Sequence, residues 1–169
     1  MMWAYLIHLG FNMWEEQDAK PLYGMEKGRK RILDFRRAQP YLRFDEELWN
    51  ELLREMKKIG INMLVIDLGE GVQYESHPEI SVKGSWSVKK LKQEIGKLRS
   101  IGIEPIPKLN FSTTHDTWLG PYSRCVSTDL YYGVCRDLIN EVCSIFDRPR
   151  FFHLGMDEET AGHQRFALY

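Results

Sequence analysis

The segment KKIGIN at residues 57–62 recurs almost unchanged as RSIGIE at residues 99–104. Each copy joins a run with helical spacing to an apolar run, and a glycine stands at the junction. The first helix is predicted to begin at the N-cap Asp45 and to bury Leu48, Leu52, Met56 and Ile59. The second is predicted to begin at Ser87 and to bury Val88, Leu91, Ile95 and Leu98. The repeat indicates two successive helix–strand units.

The units extend in both directions into an alternating series. Four apolar segments are predicted as strands, at residues 3–11, 61–68, 103–109 and 150–155. A third helix is predicted over residues 128–146, with Leu130, Val134, Leu138, Val142 and Ile145 inward. The order β-α-β-α-β-α-β predicts parallel strands joined by right-handed helical crossovers.

Two architectures fit this order: a doubly wound sheet and a (β/α)8 TIM barrel. The loop after the first strand, HLGFNMW, lacks the GxGxxG and GxxxxGK phosphate loops. Polar residues instead follow every strand, as they do at the active-site end of a barrel. We therefore predict an α/β fold in which this chain supplies the first four βα units of a TIM barrel.

Four units are half of a barrel, and few residues follow the last predicted strand. We expect residues 1–169 to be the N-terminal half of a single catalytic barrel domain, with the C-terminal half missing. The alternative is a half-barrel that pairs with another copy, because its edge strands would otherwise leave backbone groups unpaired. Self-association through the open edges is the corresponding prediction about partners.

Composition limits the classes of partner. The formal charge of -1 indicates neither a nucleic-acid-binding surface nor a polybasic membrane signal. We expect no membrane association, because no apolar run approaches the roughly 18 residues that span a bilayer. The three cysteines lack paired spacing, and no signal peptide is evident, so we expect a reducing, cytoplasmic setting.

The candidate site consists of polar and aromatic residues that follow the strands. They are Trp14 after the first strand; Asp67 and Glu70 after the second; Lys108, Asn110, His115 and Trp118 after the third; and His153, Asp157 and Glu158 after the fourth. Carboxylates supply acid–base groups, amides bind hydroxyls, and aromatic faces stack on pyranose rings. This set favours a carbohydrate substrate.

Six of these residues also have a structural interpretation. Asp157 and Glu158 could be plain surface acids on a loop. Trp118 could pin its own loop, and His115 could be a loop hydrogen-bonding group. Asp67 could be a buried acid satisfied by backbone amides, and Lys108 could pair with Asp67 or Glu70.

A divalent ion held by His115, His153 and Asp157 is another possible interpretation of the same residues. No HExxH or two-cysteine pattern supports it, and we expect neither a metal nor another cofactor.

The segment HLGMDE at residues 153–158 resembles the His-Xaa-Gly-Xaa-Asp-Glu motif of glycoside hydrolase family 20, the β-N-acetylhexosaminidases. Residues 49–74 and 103–107 look like that family's second βα unit and third strand. The resemblance implies that Glu158 is the general acid. It also implies that Asp157 orients a 2-acetamido group of the substrate, which attacks the anomeric carbon in place of a protein nucleophile.

Neighbouring residues of a regular strand point to opposite faces, so both acids reach one site only if the chain turns after the strand. Gly155 makes such a turn easier. The third strand departs from the family, since Lys108, Leu109 and Asn110 stand where acids and Pro-Gly-His are usual. The arginine that the family places after its first strand is also absent.

We expect a glycosidase acting on β-linked, N-acetylhexosamine-containing glycans, inactive as this fragment alone. One alternative is a retaining glycosidase whose nucleophile lies on a missing later strand. The other is a non-catalytic carbohydrate-binding half-barrel.

Overall fold

The computed structural model describes residues 1–18 and 36–157. These ranges contain three α-helices: α1 (Glu46–Lys58), α2 (Val88–Ser100) and α3 (Asp129–Ile145). They also contain five strands: β1 (Ala4–His8), β2 (Met63–Asp67), β3 (Val72–Gln73), β4 (Trp86–Ser87) and β5 (Glu104–Lys108). The three helices alternate with the strands β1, β2 and β5 as the sequence predicts, whereas the two-residue strands β3 and β4, between β2 and α2, were not predicted. Glu158, the proposed general acid, lies outside the described residues.

The main sheet is parallel and has the order β1-β2-β5. Its register places His8, the last residue of β1, opposite Asp67, and Asp67 opposite Lys108 at the end of β5. All three strands therefore end at one edge of the sheet. The architecture is mixed α/β with parallel strands, consistent with part of a TIM-barrel-like domain, although no sheet closes within the described ranges.

The predicted fourth strand, residues 150–155, is reduced to a single parallel bridge between His153 and Lys108. The His153 amide donates to the Pro107 carbonyl at 2.9 Å, and the Leu109 amide donates to the His153 carbonyl at 3.1 Å. The odd-numbered residues of this part of β5 thus face the fourth segment. Pro107 is one of them, and because it has no N–H the ladder cannot continue toward residue 151.

The helix starts and stops are confirmed. Asp45 Oδ1 accepts a hydrogen bond from the Leu48 amide at 2.9 Å, and the Ser87 side chain accepts one from the Lys90 amide at 3.2 Å. Gly60, just beyond α1, has a φ of 82°, which is the left-handed conformation that commonly follows a helix. Each of these signals is local to a few residues, so the sequence alone shows them.

The predicted inward faces of the helices are partly wrong. Helix α1 buries Trp49, Leu53 and Met56, whereas Leu48 and Ile59 are exposed. The buried stripe is turned by one residue because Trp49 enters the core and donates from Nε1 to Glu94 on α2 at 2.8 Å. Helix α2 buries Leu91, Ile95 and Leu98 as predicted, while Leu130, predicted inward at the start of α3, is exposed.

The apolar character of β1 predicts a buried strand, and the structure shows a largely exposed one. Strand β1 is an edge strand that pairs with β2 alone, and no element in the described ranges covers its other side. The helices pack instead on the face of β2 that carries Leu64 and Ile66, both fully buried. None of the described helices has the combination of length and apolar composition that a bilayer crossing requires.

Candidate functional site

Four polar residues form a row across the carboxyl edge of the sheet. His8, Asp67 and Lys108 stand opposite one another at the ends of β1, β2 and β5, and His153 is bridged to Lys108 on the far side. In parallel strands, residues in register point to the same face. The row is therefore carried on one face of the sheet, opposite to the face on which the helices pack.

An ion pair occupies the centre of this row. Lys108 Nζ lies 2.5 Å from Asp67 Oδ2, and both side chains are buried. His8 Nδ1 contacts the same oxygen at 2.9 Å. Pairing offsets the large cost of burying either charge alone. Lys108 therefore pairs with Asp67, as its structural interpretation predicted. The partners of the Asp67 carboxylate are the side chains of Lys108 and His8, whereas its structural interpretation had proposed backbone amides.

Asn110 extends the row toward the last described segment. Its amide is oriented so that Oδ1 accepts from Lys108 Nζ at 3.0 Å and Nδ2 donates to the Gly155 carbonyl at 2.9 Å. Gly155 has a φ of 59° and packs so closely that an added Cβ would stand 2.8 Å from the Asn110 Cα. The chain therefore leaves the strand direction at Gly155, against Asn110.

Beyond this turn, Asp157 lies next to His115. Asp157 Oδ2 is 3.5 Å from His115 Nδ1, and the ring of Trp14 meets the His115 ring edge-on at a centroid distance of 6.0 Å. These residues come from the segments after β1, after β5 and after the fourth segment. The structure thus brings together three predicted site residues that are distant in the sequence.

Glu70 is a buried carboxylate just beyond β2. Its Oε1 accepts hydrogen bonds from the backbone amides of Phe11 and Asn12 at 2.8 and 3.0 Å. Its Oε2 is buried and has no hydrogen-bond partner among the described residues. Burial raises the pKa of Glu70, and the two amide hydrogen bonds and the nearby Arg43 oppose that rise. Glu70 ties the segment after β1 to the end of β2.

Trp118 is 2% exposed, and its Nε1 donates to the Asn110 carbonyl at 2.7 Å. Its indole packs against the Phe111 ring at a centroid distance of 6.1 Å. The contacts hold the loop after β5 against the strand end, which is the structural role considered for this residue. Stacking of Trp118 on a sugar stays a prediction.

A shallow cleft of about 310 Å³ adjoins Glu70 and Trp118 on this side of the molecule. Its lining also includes Asn12, Gln39 and Thr117. A larger cleft of about 480 Å³ lies at the opposite edge of the sheet, where Met63 and Glu104 begin their strands. In barrels that amino-terminal edge serves stability, so its size does not make it the candidate site.

Comparison with known proteins bears on the fold. No protein-family model and no curated protein sequence matches this chain. Among solved structures, the chain is similar to a β-N-acetylhexosaminidase from Bacteroides fragilis, with a TM-score of 0.58 and 19% sequence identity. The match covers 69% of this chain and 30% of that one. At this identity the likeness shows a shared fold, and this chain spans under a third of the length of that enzyme.

Within the described ranges, no group of three or more histidine, cysteine or acidic residues could hold a metal ion. Burial also disfavours the nucleophilic thiolate form of two of the cysteines. Burial raises the pKa of Cys135 to about 12, and burial also raises the pKa of Cys143. Among the described residues, the strand ends present carboxylates, imidazoles, an amide and one lysine.

Two residues of the site were missed from the sequence. His8 belongs to the row because β1 ends at His8. The predicted first strand extended to Phe11, so His8 was not recognised as a strand-end residue. Arg43 lies beside Glu70, donates from Nη2 to the Phe11 carbonyl at 3.1 Å and stacks over the Phe11 ring. A histidine inside an apolar run was the available signal for His8. Nothing in the local sequence indicates the contact of Arg43.

Proposed function

We propose that the protein is a glycoside hydrolase of β-linked glycans that contain an N-acetylhexosamine, with Glu158 as general acid and Asp157 as its assistant. The observation that carries this proposal is the contact of Asp157 with His115 at the carboxyl edge of the sheet. Active sites of TIM-barrel enzymes lie at that edge. The fold similarity to a β-N-acetylhexosaminidase supports the same assignment.

The turn at Gly155 supports the pairing of the two acids. On a regular strand Asp157 and Glu158 would point to opposite faces. Gly155, two residues before Asp157, has the left-handed conformation and ends the extended backbone there. The alternation of a regular strand therefore does not apply to the acidic segment. The turn and the pairing with Asn110 favour a site in which both acids act on one bound sugar.

The proposed chemistry follows the resemblance to family 20. Glu158 gives its proton to the glycosidic oxygen while the bond from that oxygen to the anomeric carbon breaks. The carbonyl oxygen of the substrate's 2-acetamido group forms the new bond to the anomeric carbon, and Asp157 holds that group in place. Water then attacks the anomeric carbon as the bond from that carbon to the acetamido oxygen breaks, which restores the acetamido group, and the carboxylate of Glu158 takes up the proton that the water loses.

The polar row supplies groups for the sugar hydroxyls. His8 and His153 are reachable from solvent at the two ends of the row, whereas Asp67 and Lys108 are buried between them. We propose that the buried pair fixes the geometry of the row. The direct contacts to substrate are assigned to its exposed members and to Trp14 and His115 nearby, while Asn110, which is buried, supports the row through Lys108 and Gly155.

The test is hydrolysis of 4-nitrophenyl N-acetyl-β-D-glucosaminide by the complete protein that contains these residues. We expect Glu158→Gln to lower turnover by about 10²-fold or more, while Glu159→Gln, the neighbouring acid, serves as the matched control and leaves it nearly unchanged. The 4-nitrophenyl β-D-glucoside, which lacks the 2-acetamido group, should be a poor substrate. Wild-type turnover by Glu158→Gln would rule out the proposal.

The open face of the sheet favours one second candidate, a non-catalytic carbohydrate-binding half-barrel. Leu6 is 37% exposed on this face, and β2 is the only strand that pairs with β1 in the described ranges. Sugar binding without hydrolysis would support this alternative. Hydrolysis of both nitrophenyl glycosides at similar rates would instead favour a retaining glycosidase without participation of an acetamido group.

A further inference from the structure

His8 occupies an exposed place in the polar row. It is the last residue of β1, and its register with Asp67 puts the two side chains on the same face of the sheet. The His8 side chain is 35% exposed, whereas that of Asp67 is almost completely buried. His8 thus connects a buried carboxylate to the open face on which a substrate would lie.

The contact with Asp67 fixes which nitrogen of His8 carries hydrogen. Nδ1 lies 2.9 Å from Asp67 Oδ2, and Lys108 Nζ donates to the same oxygen. An ionised carboxylate only accepts hydrogen bonds, so Nδ1 must be the donor. In a neutral imidazole the other nitrogen, Nε2, is then an acceptor. Nε2 has no hydrogen-bond partner among residues 1–18 and 36–157.

His153, at the other end of the row, is held in the opposite tautomer. Its Nδ1 accepts a hydrogen bond from the Gly155 backbone amide at 3.0 Å. An amide N–H only donates, so the neutral His153 ring carries its hydrogen on Nε2. The row therefore has a histidine acceptor at one end and a histidine donor at the other. Protein contacts set both states before any ligand is present.

We infer that Nε2 of His8 accepts a hydrogen bond from a hydroxyl group of the bound sugar, and that Asp67 is the positioning residue that keeps Nε2 free of hydrogen. This assignment rests on the proposed glycosidase function and specifies the atom of His8 that binds the substrate, the substrate group that it binds and the residue that sets its tautomer. A sugar hydroxyl fits because it donates hydrogen without carrying charge. The matching acceptor is held rigidly at the end of a strand.

The tautomers are measured directly by the nitrogen chemical shifts of the imidazole rings in the unsubstituted, ¹⁵N-labelled protein at neutral pH. We expect the Nδ1–H form for His8 and the Nε2–H form for His153, so that each ring is the internal reference for the other. In Asp67→Asn, the His8 pattern should change and the His153 pattern should persist. An Nε2–H form of His8 in the unsubstituted protein would overturn the inference.

Binding is measured by titration of the same protein with N-acetyl-D-glucosamine. His8→Asn keeps a donor near Asp67 but has no atom at the Nε2 position, and we expect it to weaken binding about three- to tenfold. His8→Gln can place its amide oxygen near the Nε2 position and should lose less. Both variants should keep the unfolding midpoint within the range of ordinary surface substitutions.

The outcomes separate the two proposals. If the unsubstituted protein binds the sugar and His8→Asn binds it equally well, the assignment of His8 is wrong and the glycosidase proposal stands. If the unsubstituted protein binds neither N-acetyl-D-glucosamine nor the nitrophenyl glycoside, both fail together. Weaker binding by His8→Asn, partly restored in His8→Gln, supports the role of Nε2.

Discussion

Gly155 packs directly against Asn110: a Cβ added to Gly155 would lie 2.8 Å from the Asn110 Cα and 2.6 Å from the nearest atom of its side-chain amide. Gly155 also has a φ of 59°, a conformation that residues with a side chain rarely adopt. We expect Gly155→Ala to lower the free energy of unfolding by about 1–3 kcal/mol, from backbone strain and the clash. Urea unfolding followed by circular dichroism measures this loss.

Gly96→Ala is the matched control for that substitution. Gly96 lies inside α2, and an added Cβ would meet no atom within 4 Å. Alanine is the better helix former, so this variant should gain about 0.5–1 kcal/mol. Equal stability of the two alanine variants would show that Gly155 is not under the proposed constraint.

The ion pair between Asp67 and Lys108 yields a second prediction. Removing one partner leaves the other charge buried and uncompensated, at a cost of about 3–5 kcal/mol. We expect Lys108→Met to show such a loss and the double variant Asp67→Leu/Lys108→Met to recover part of it. A double-mutant cycle of urea unfolding energies measures the coupling. Additive losses would mean that the two charges do not depend on each other.

The lowered pKa of Glu94 predicts how the free energy of unfolding changes at acidic pH. Burial raises its pKa, but the hydrogen bonds from Trp49 Nε1 and Lys90 together with the charges of Lys97 and Lys90 outweigh burial, and the net effect lowers the pKa. A lowered pKa in the folded state contributes stability above the unfolded-state value of about 4.3. That contribution is lost as the pH falls through the folded pKa.

We therefore expect Glu94→Gln to be less stable than the unsubstituted protein at pH 7 and to approach it as the pH falls below about 4. Unfolding midpoints in urea at a series of pH values measure the difference. Glu47→Gln, an exposed acid in the first turn of α1, is the control. A Glu94→Gln difference that does not change with pH would contradict the assigned contacts.

Glu70 should behave in the opposite way, because burial raises its pKa in the folded state. Ionisation then costs stability as the pH rises from the unfolded-state value of about 4.3 through the folded pKa. We expect Glu70→Gln to gain stability relative to the unsubstituted protein between pH 4 and pH 7. The same urea series tests this, and a parallel pH dependence of both proteins would refute it.

The sequence predicted those features that depend on neighbouring residues. Asp45 and Ser87 cap their helices because each needs only the amide three residues later. The contact between Asp67 and Lys108 could also be predicted, because the carboxyl ends of parallel strands lie at one edge of the sheet. The buried face of α1 differs by one residue from the predicted one because Trp49 hydrogen-bonds to Glu94, which lies on another helix and is distant in the sequence.

The fourth segment shows why the remaining features could not be predicted. The sequence displays Pro105 and Pro107, but a proline shortens a ladder only if its missing N–H faces the neighbouring strand. That direction depends on the register with residues 150–155, which the hydrogen bond from His153 to Pro107 establishes. The exposure of β1 depends likewise on which segments lie beside it.

The exposed edge of β1 predicts self-association of the 169-residue chain. Leu6 is 37% exposed on a strand that has only β2 as a partner in the described part of the chain. Unpaired edge strands with apolar side chains associate with other edges, and a charged residue on the edge opposes this. We expect light scattering to show oligomers that Leu6→Lys reduces.

Leu48→Lys separates the edge effect from the general effect of an added charge. Leu48 is 52% exposed on α1, away from the sheet edge, so its replacement should leave the oligomers in place. Equal loss of association in both variants would point to net charge as the cause. Association through an unpaired edge strand increases with protein concentration. If the unsubstituted chain stays monomeric at high concentration, the edge of β1 does not pair with another chain.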